Sequence, residues 1–381
     1  MISRFTIDGS DALEKNLAQT CQRIASKVRD VIPNGRMEAL LLGGGYGRGQ
    51  GGVLKTESGD KPYNDLEFYV CLRGLEILNR RKYQPALHHL AEEISPEAGL
   101  EVEFKISSLE KLQKFPPTMF AYDLAWGHQT LIGDDESFRG NTAPHASDIP
   151  LYEATRLLMN RCSGLLFAKE HLQRTPFTAD DADFVGRNHA KAQLGFGDAF
   201  LCADGKYHWD CRERKERLAN FSTEHNLPWL DEARRHHSAG VEFKLHPWRT
   251  TDSMETLCDN QRELTHLGLK IWLWLESTRL NRMFVTASDY ALSSLDKCPE
   301  TNPVRNFFVN AKTFRSQILR AGKPSRYPRE RLFHSLALLL WDPAVLSDFP
   351  LQQRLKTELR TNASTFPEFV KAYENLWKNF N

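Results

Sequence analysis

Two acids separated by one residue, Asp65 and Glu67 in Asn64-Asp-Leu-Glu-Phe-Tyr-Val-Cys-Leu72, carry the strongest chemical signal of the 381-residue chain. The segment alternates and then turns apolar, as strands do. Side chains at i and i+2 of a strand share a face, roughly 6–7 Å apart for a rise of ~3.3 Å per residue. Carboxylates placed so closely repel one another unless a cation joins them, and their hard oxygens suit Mg2+ or Mn2+. A third acid on a neighbouring strand would complete a two-metal site. The strictly alternating Leu100-Glu-Val-Glu-Phe-Lys-Ile106 offers Glu101 and Glu103 on one face, and Glu103, further into the strand, is the favoured candidate. Phosphoryl transfer is the chemistry such a set serves: one ion acidifies an attacking hydroxyl while the other holds the polyphosphate and its leaving group.

A glycine run stands ahead of the acids. The apolar Ala39-Leu-Leu-Leu42 runs into Gly43-Gly-Gly-Tyr-Gly-Arg-Gly-Gln-Gly-Gly52, seven glycines in ten residues. Glycine lets a backbone approach phosphates and offer N–H donors. Gly44, Gly45, Tyr46 and Arg48 are therefore expected to hold a triphosphate, Arg48 by its charge. Gly47-x-Gly49-x-x-Gly52 has the form of a dinucleotide fingerprint. That motif needs a helix after its last glycine, whereas Val53 to Pro62 ends in a polar turn.

Taken together, the apolar strand, Gly44-Gly45, Arg48-Gly49, Asp65-x-Glu67 and Glu103 (or Glu101) resemble the polymerase-β-type nucleotidyltransferase superfamily. Thr130-Leu-Ile-Gly-Asp134 and Leu157-Leu-Met-Asn-Arg161 are similar to segments of its antibiotic-modifying members. The gap from Gly45 to Asp65 is longer than that family's usual spacing and requires an inserted turn at 55–62. The resemblance implies an α+β chain: a nucleotidyltransferase fold, a small mixed sheet with helices, over 1–145, then an all-helical domain over 146–381 with a candidate subdivision near 298–303. It implies Mg2+- or Mn2+-dependent transfer of a nucleoside monophosphate from a nucleoside triphosphate to an acceptor hydroxyl, with release of pyrophosphate. Asp65 and Glu67 would ligate both ions. Glu103 would ligate the catalytic ion or act as general base, and Lys191 of the helical domain would reach the phosphates.

The elements that must position these residues are legible as patterns. Leu13, Leu17, Cys21, Ile24, Val28 and Val31 predict a helix over 11–31, with Asp11 and Glu14 as a capping box. A helix over 75–94 is expected to kink or break at Pro85, and Gln129–Ile132 reads as a short strand. Helical patterns over 151–172, 187–203, 205–220, 256–281, 304–320 and 327–341 follow a boundary near Thr142–Pro150.

Fifty basic against forty-nine acidic residues give a net charge of +1, against long nucleic acid as the main partner. The acceptor is thus ranked small molecule, protein side chain, RNA end. The opening MISRFTIDGSD lacks an apolar core, and no run approaches the ~20 residues of a membrane helix, so a cytoplasmic protein without membrane contact is expected. Seven scattered cysteines with no CxxC predict reduced thiols and no zinc site. Two alternatives accompany the leading reading. One is a non-catalytic nucleotide-binding or interaction protein of the same fold. The other is a helical-domain ribonuclease using Arg329 and His334, spaced Arg-x4-His. His88-His89 and His236-His237 read as surface residues, Tyr207-His-Trp209 as helix packing, and Trp272 with Trp274 as core.

Overall fold

The computed structural model describes residues 4–134, 143–222, 227–315 and 324–380. In order, its first part runs α1 (Asp11–Val31), β1 (Met37–Leu42), α2 (Gly44–Gly47), β2 (Gly52–Thr56), β3 (Gly59–Tyr63), β4 (Asp65–Leu72), α3 (Glu76–Ala98), β5 (Glu101–Ser107), α4 (Leu109–Gln113), α5 (Met119–Trp126) and β6 (Gln129–Ile132). Helices follow: α6 (Leu151–His171), α7 (Ala179–Ala203), α8 (Cys211–Ala219), α9 (Leu230–Leu245), α10 (Met254–Arg279), α11 (Ala287–Leu292), α12 (Pro303–Phe314), α13 (Arg329–Trp341), α14 (Phe349–Leu359) and α15 (Phe366–Phe380). The chain is thus mixed α+β, with a small mixed sheet and a helical C-terminal region.

Four strands form the main sheet in the order β5-β4-β1-β6. β1 is antiparallel to both β4 and β6, while β4 and β5 are parallel. A parallel neighbour needs a crossover, and α3 provides it. Leu40, Leu42, Leu66, Phe68, Val70, Val102, Phe104 and Ile106 point to one face, where the buried stripe of α1 and Leu87, Leu90 and Ile94 of α3 cover them. The opposite face carries Ala39, Leu41, Tyr69 and Cys71, packed with Leu112 of α4 and Leu124 of α5. Asp65 and Glu67, on that same face at the start of β4, keep intermediate exposure.

Several local expectations need correction. The cap of α1 is Ser10, whose Oγ accepts the Leu13 amide, and Glu14 instead accepts the Phe5 and Thr6 amides at 2.8 and 3.0 Å. α3 runs unbroken through Pro85 because Tyr83, Leu87, Leu90 and Ala91 bury one continuous face, and it ends at Gly99 with φ 70°. The polar stretch 55–62 is more than a turn: β2 and β3 pair from Gly52↔Tyr63 to Thr56↔Gly59. Residues 205–220 begin their helix only at Cys211, behind the Asp210 cap. The expected helix over 304–320 is seen over Pro303–Phe314, and 316–320 lie outside the described residues.

The chain divides into two units. The first comprises Met1–Pro150, Asp204–Ser222 and Val241–Trp248, so it takes in two stretches that the sequence boundary gave to the helical domain. The second holds Leu151–Ala203, Thr223–Gly240 and Arg249–Asn381. Its core is aliphatic and aromatic, including Leu158, Cys162, Leu165, Phe196, Leu264, Ile271 and the fully buried Trp272. None of the seven cysteines forms a disulfide; six are buried and Cys258 is at intermediate exposure. Among the described residues, no helix is long and apolar enough to cross a membrane.

Candidate active site

The parallel pairing of β4 with β5 sets the site. Its register places Asp65 opposite Glu101 and Glu67 opposite Glu103. Asp65, Glu67 and Glu103 each offer a carboxylate oxygen, and these atoms lie within 4.8 Å of one another. Glu101 is not part of that group. Three oxygen donors this close fit a hard divalent cation. Burial, with Glu67 and then Glu103 nearby, raises the Asp65 carboxyl above its usual range, and Lys105 works the other way.

Lys105 is the residue that the sequence reading missed. Its Nζ donates to Glu67 Oε1 at 3.1 Å and lies 3.0 Å from Glu103 Oε2, 5.6 Å from the centre of the Tyr69 ring. Burial opposes its charge, yet Tyr69, Glu67 and Glu103 outweigh that and raise its pKa. The signal was present in the alternation: Lys105 follows Glu101 and Glu103 on the same face of β5. A divalent ion at the three carboxylates would share Glu67 and Glu103 with this ammonium.

β1 delivers the chain into the glycine turn beside Glu67. Gly43 donates its amide to the Glu67 carbonyl at 2.9 Å. Gly44 has φ +62°, and a Cβ there would stand 3.1 Å from Glu67 Oε2. The positive φ falls at Gly44 and not at Gly45, where a Cβ would instead meet the Gln50 carbonyl at 3.2 Å. The segment from Gly44 to Gly47 closes as one helical turn, so the backbone is compact rather than a loose loop.

Two side chains expected on the triphosphate are committed elsewhere. Tyr46 is buried, its hydroxyl 3.0 Å from the carbonyls of Gly52 and Tyr63 and accepting the Tyr63 amide at 2.8 Å. It pins the β2–β3 hairpin to the turn. Arg48 donates to Asp123 Oδ2 at 3.1 Å with its side chain only 14% exposed, and a glycine, Gly127, lies against its methylenes. Tyr207 also donates to Asp123 Oδ2, and Arg214 donates to the Tyr207 hydroxyl and the His208 carbonyl. Burial and the Arg48 guanidinium push the nearby Lys244 down to about 8. These partners come from far along the chain, so no local pattern announced them. Tyr207, edge-on to Tyr122, is packing as expected.

Lys191 is an exposed position of α7 in the second unit. In the same unit, the ribonuclease pair is split. Residues five apart on a helix point about 140° apart at 3.6 residues per turn. Arg329 Nε donates to the Phe380 carbonyl, whereas His334 Nδ1 faces Glu358 Oε1 at 3.1 Å. The His236-His237 reading also changes. His237 is buried against Asp198 at 2.9 Å, and His236 groups with Glu232 and Glu263.

Comparison with family models, with curated proteins and with solved structures returns no match.

Proposed function

We propose that the chain is a metal-dependent nucleotidyltransferase, its first unit a nucleotidyltransferase fold of the polymerase-β type. One observation carries the reading: three carboxylates from two adjacent parallel strands converge beside a glycine turn whose Gly44 abuts Glu67. The residues fit a divalent cation, because all three are hard oxygen donors and the Asp65 carboxyl is raised by burial and then by Glu67 and Glu103, both of which a bound cation offsets. Asp65, Glu67 and Glu103 would hold Mg2+ or Mn2+, which would supply positive charge to the triphosphate and acidity to the acceptor hydroxyl. Glu103, the most exposed of the three, is placed to take the acceptor's proton. With glycine at 44, no Cβ crowds Glu67 Oε2 on that side of the acids. The acceptor is proposed to be a small molecule first, then a protein side chain, then an RNA end.

The test is incubation with α-labelled nucleoside triphosphates, Mg2+ or Mn2+ and a cell extract. Label should enter one acceptor fraction in wild type and none with Asp65→Asn. Unlabelled acceptors with every triphosphate and either metal would sink the enzyme reading.

Lys105 favours a second reading, a non-catalytic nucleotide-binding protein, since an ammonium bridging Glu67 and Glu103 does the charge-balancing work of an ion. Metal titration separates the two. The enzyme reading expects Mg2+ or Mn2+ to saturate the site, and the second expects Lys105 to keep it.

A further inference from the structure

The second unit contains a cavity of about 280 Å3 on which six ionisable side chains converge, with Leu292, Tyr327 and hydroxyl residues completing the lining. Arg326, Arg331, Arg354, His334, Glu330 and Glu358 converge on it. Side-chain exposures of 9% for Arg331, 3% for His334, 10% for Glu330 and 9% for Glu358 show that these charges are out of solvent. Buried charges are retained at a cost, so their unmet hydrogen-bonding capacity is informative.

That capacity is of two kinds. Glu358 can only accept, so its contact with His334 Nδ1 at 3.1 Å, closer than the Arg354 terminal nitrogen at 3.4 Å, puts the ring proton on Nδ1 and leaves Nε2 an acceptor. Nε2 has no hydrogen-bond partner, and Glu330 Oε1 stands 3.7 Å from it, beyond reach. Glu330 Oε2 is also without a partner, while its Oε1 accepts from Arg326 at 2.7 Å. Opposite in sense, Arg354 presents an Nε–H with no acceptor, although its terminal nitrogen pairs with Glu358 Oε1 at 2.7 Å. Three guanidiniums face two carboxylates. Lys297 and Asp296 beside them offset one another, leaving a surplus positive charge. Burial pushes Glu330 up to about 7.

An anion that also donates a hydrogen bond would meet both the surplus charge and the two kinds of unmet group. A carboxylate has two oxygens and no proton to give, and sulfate is fully deprotonated. Hydrogen phosphate has both features, P–O− for the guanidiniums and P–OH for a buried acceptor. We propose that this cavity is a binding site for hydrogen phosphate, with the oxyanion held by the Arg354 Nε–H, the charge of Arg326 beside it, and its hydroxyl donated to His334 Nε2 or Glu330 Oε2. The site lies wholly within the second unit and does not depend on the nucleotide reading.

Calorimetry on the full chain in divalent-free buffer at neutral pH tests it, with inorganic phosphate as probe and sulfate at matched ionic strength as comparison. Phosphate should bind saturably at one site, at least tenfold tighter than sulfate. Arg354→Gln, at the more exposed rim, should weaken both anions about tenfold. Glu330→Gln, whose amide adds a donor and removes the charge, should close the gap between the two anions. If Glu330→Gln fails to fold, the wild-type ratio and Arg354→Gln decide alone. Equal binding of phosphate and sulfate, or unchanged phosphate binding in Arg354→Gln, would overturn the proposal and leave an ion-pair network. Asp65→Asn must retain the phosphate signal, since its loss would place the anion at the acidic site of the first unit.

Discussion

Asp65 is half-buried with Glu67 and Glu103 beside it, and its raised carboxyl means that ionisation at neutral pH works against the fold. Asp65→Asn removes that repulsion almost isosterically. Its melting temperature in metal-free buffer should hold or rise, while divalent binding by calorimetry disappears. A large loss of stability would instead make Asp65 a structural residue. Lys105 predicts the opposite pattern. Lys105→Met leaves three carboxylates uncompensated, so melting in EDTA should fall, by on the order of 1 kcal/mol or less because the pairs are partly solvated. Mg2+ affinity should rise, because no ammonium shares Glu67 and Glu103 with the ion, and added Mg2+ should close the stability gap. Metal binding unchanged by Lys105→Met would mean the ammonium and the ion do not compete. A third titration belongs to Lys297, fully buried against Tyr290 and pushed by desolvation from 10.5 down to about 8. Between those values the unfolded chain binds the additional proton, so this lysine destabilises most below 8 and the penalty fades as pH rises to 10.5. Denaturation at pH 7 and near 10 should show stability shifting in favour of wild type, relative to Lys297→Met, as pH rises.

Strand register is the element-scale statement with consequences. Because β4 pairs Glu67 with Glu103, Glu103→Gln should lower nucleotide transfer at least ~10²-fold, the scale of lost general-base or metal-site groups, and Glu101→Gln should change it little. Comparable rates for wild type and Glu103→Gln, with a dead Glu101→Gln, would reverse the assignment. The alternation of both strands was readable, and so was their shared acidic face. Their register was not, since it is fixed by the α3 crossover and the packing of Phe68 on Phe104. Pro85 misled for a related reason: local propensity disfavours a mid-helix proline, but a continuous buried face outweighs the single lost hydrogen bond. Tyr46 and Arg48 looked like ligands because they sit in a glycine run. Their side chains answer to Tyr63 and Asp123, 17 and 75 residues away, which no local pattern reveals.

At the scale of the whole chain, the first unit is discontinuous. Cys211 donates its amide to Gln50 Oε1, Tyr207 bonds Asp123, and Phe243 stands edge-on to Tyr63. A fragment ending at Pro150 lacks all three. It should therefore show a non-cooperative melt or aggregate, whereas the full chain melts cooperatively, as circular dichroism with temperature will show. A fragment 1–150 with a sharp transition would prove the later segments dispensable.

The burial of the cysteines turns the chain into its own reporter. Six thiols are enclosed, and burial holds Cys21 and Cys71 at about 12, so neither geometry nor thiolate chemistry favours their attack on a reagent. Cys258, half-open on α10, is left as a natural single attachment point for a dye or spin label without any engineering. A chromogenic disulfide should then count about one equivalent in the native protein and the remaining six as it opens. Cys21 and Cys71 lie in the first unit and Cys162 and Cys298 in the second, so mass spectrometry of the labelled peptides would time the opening of each unit separately.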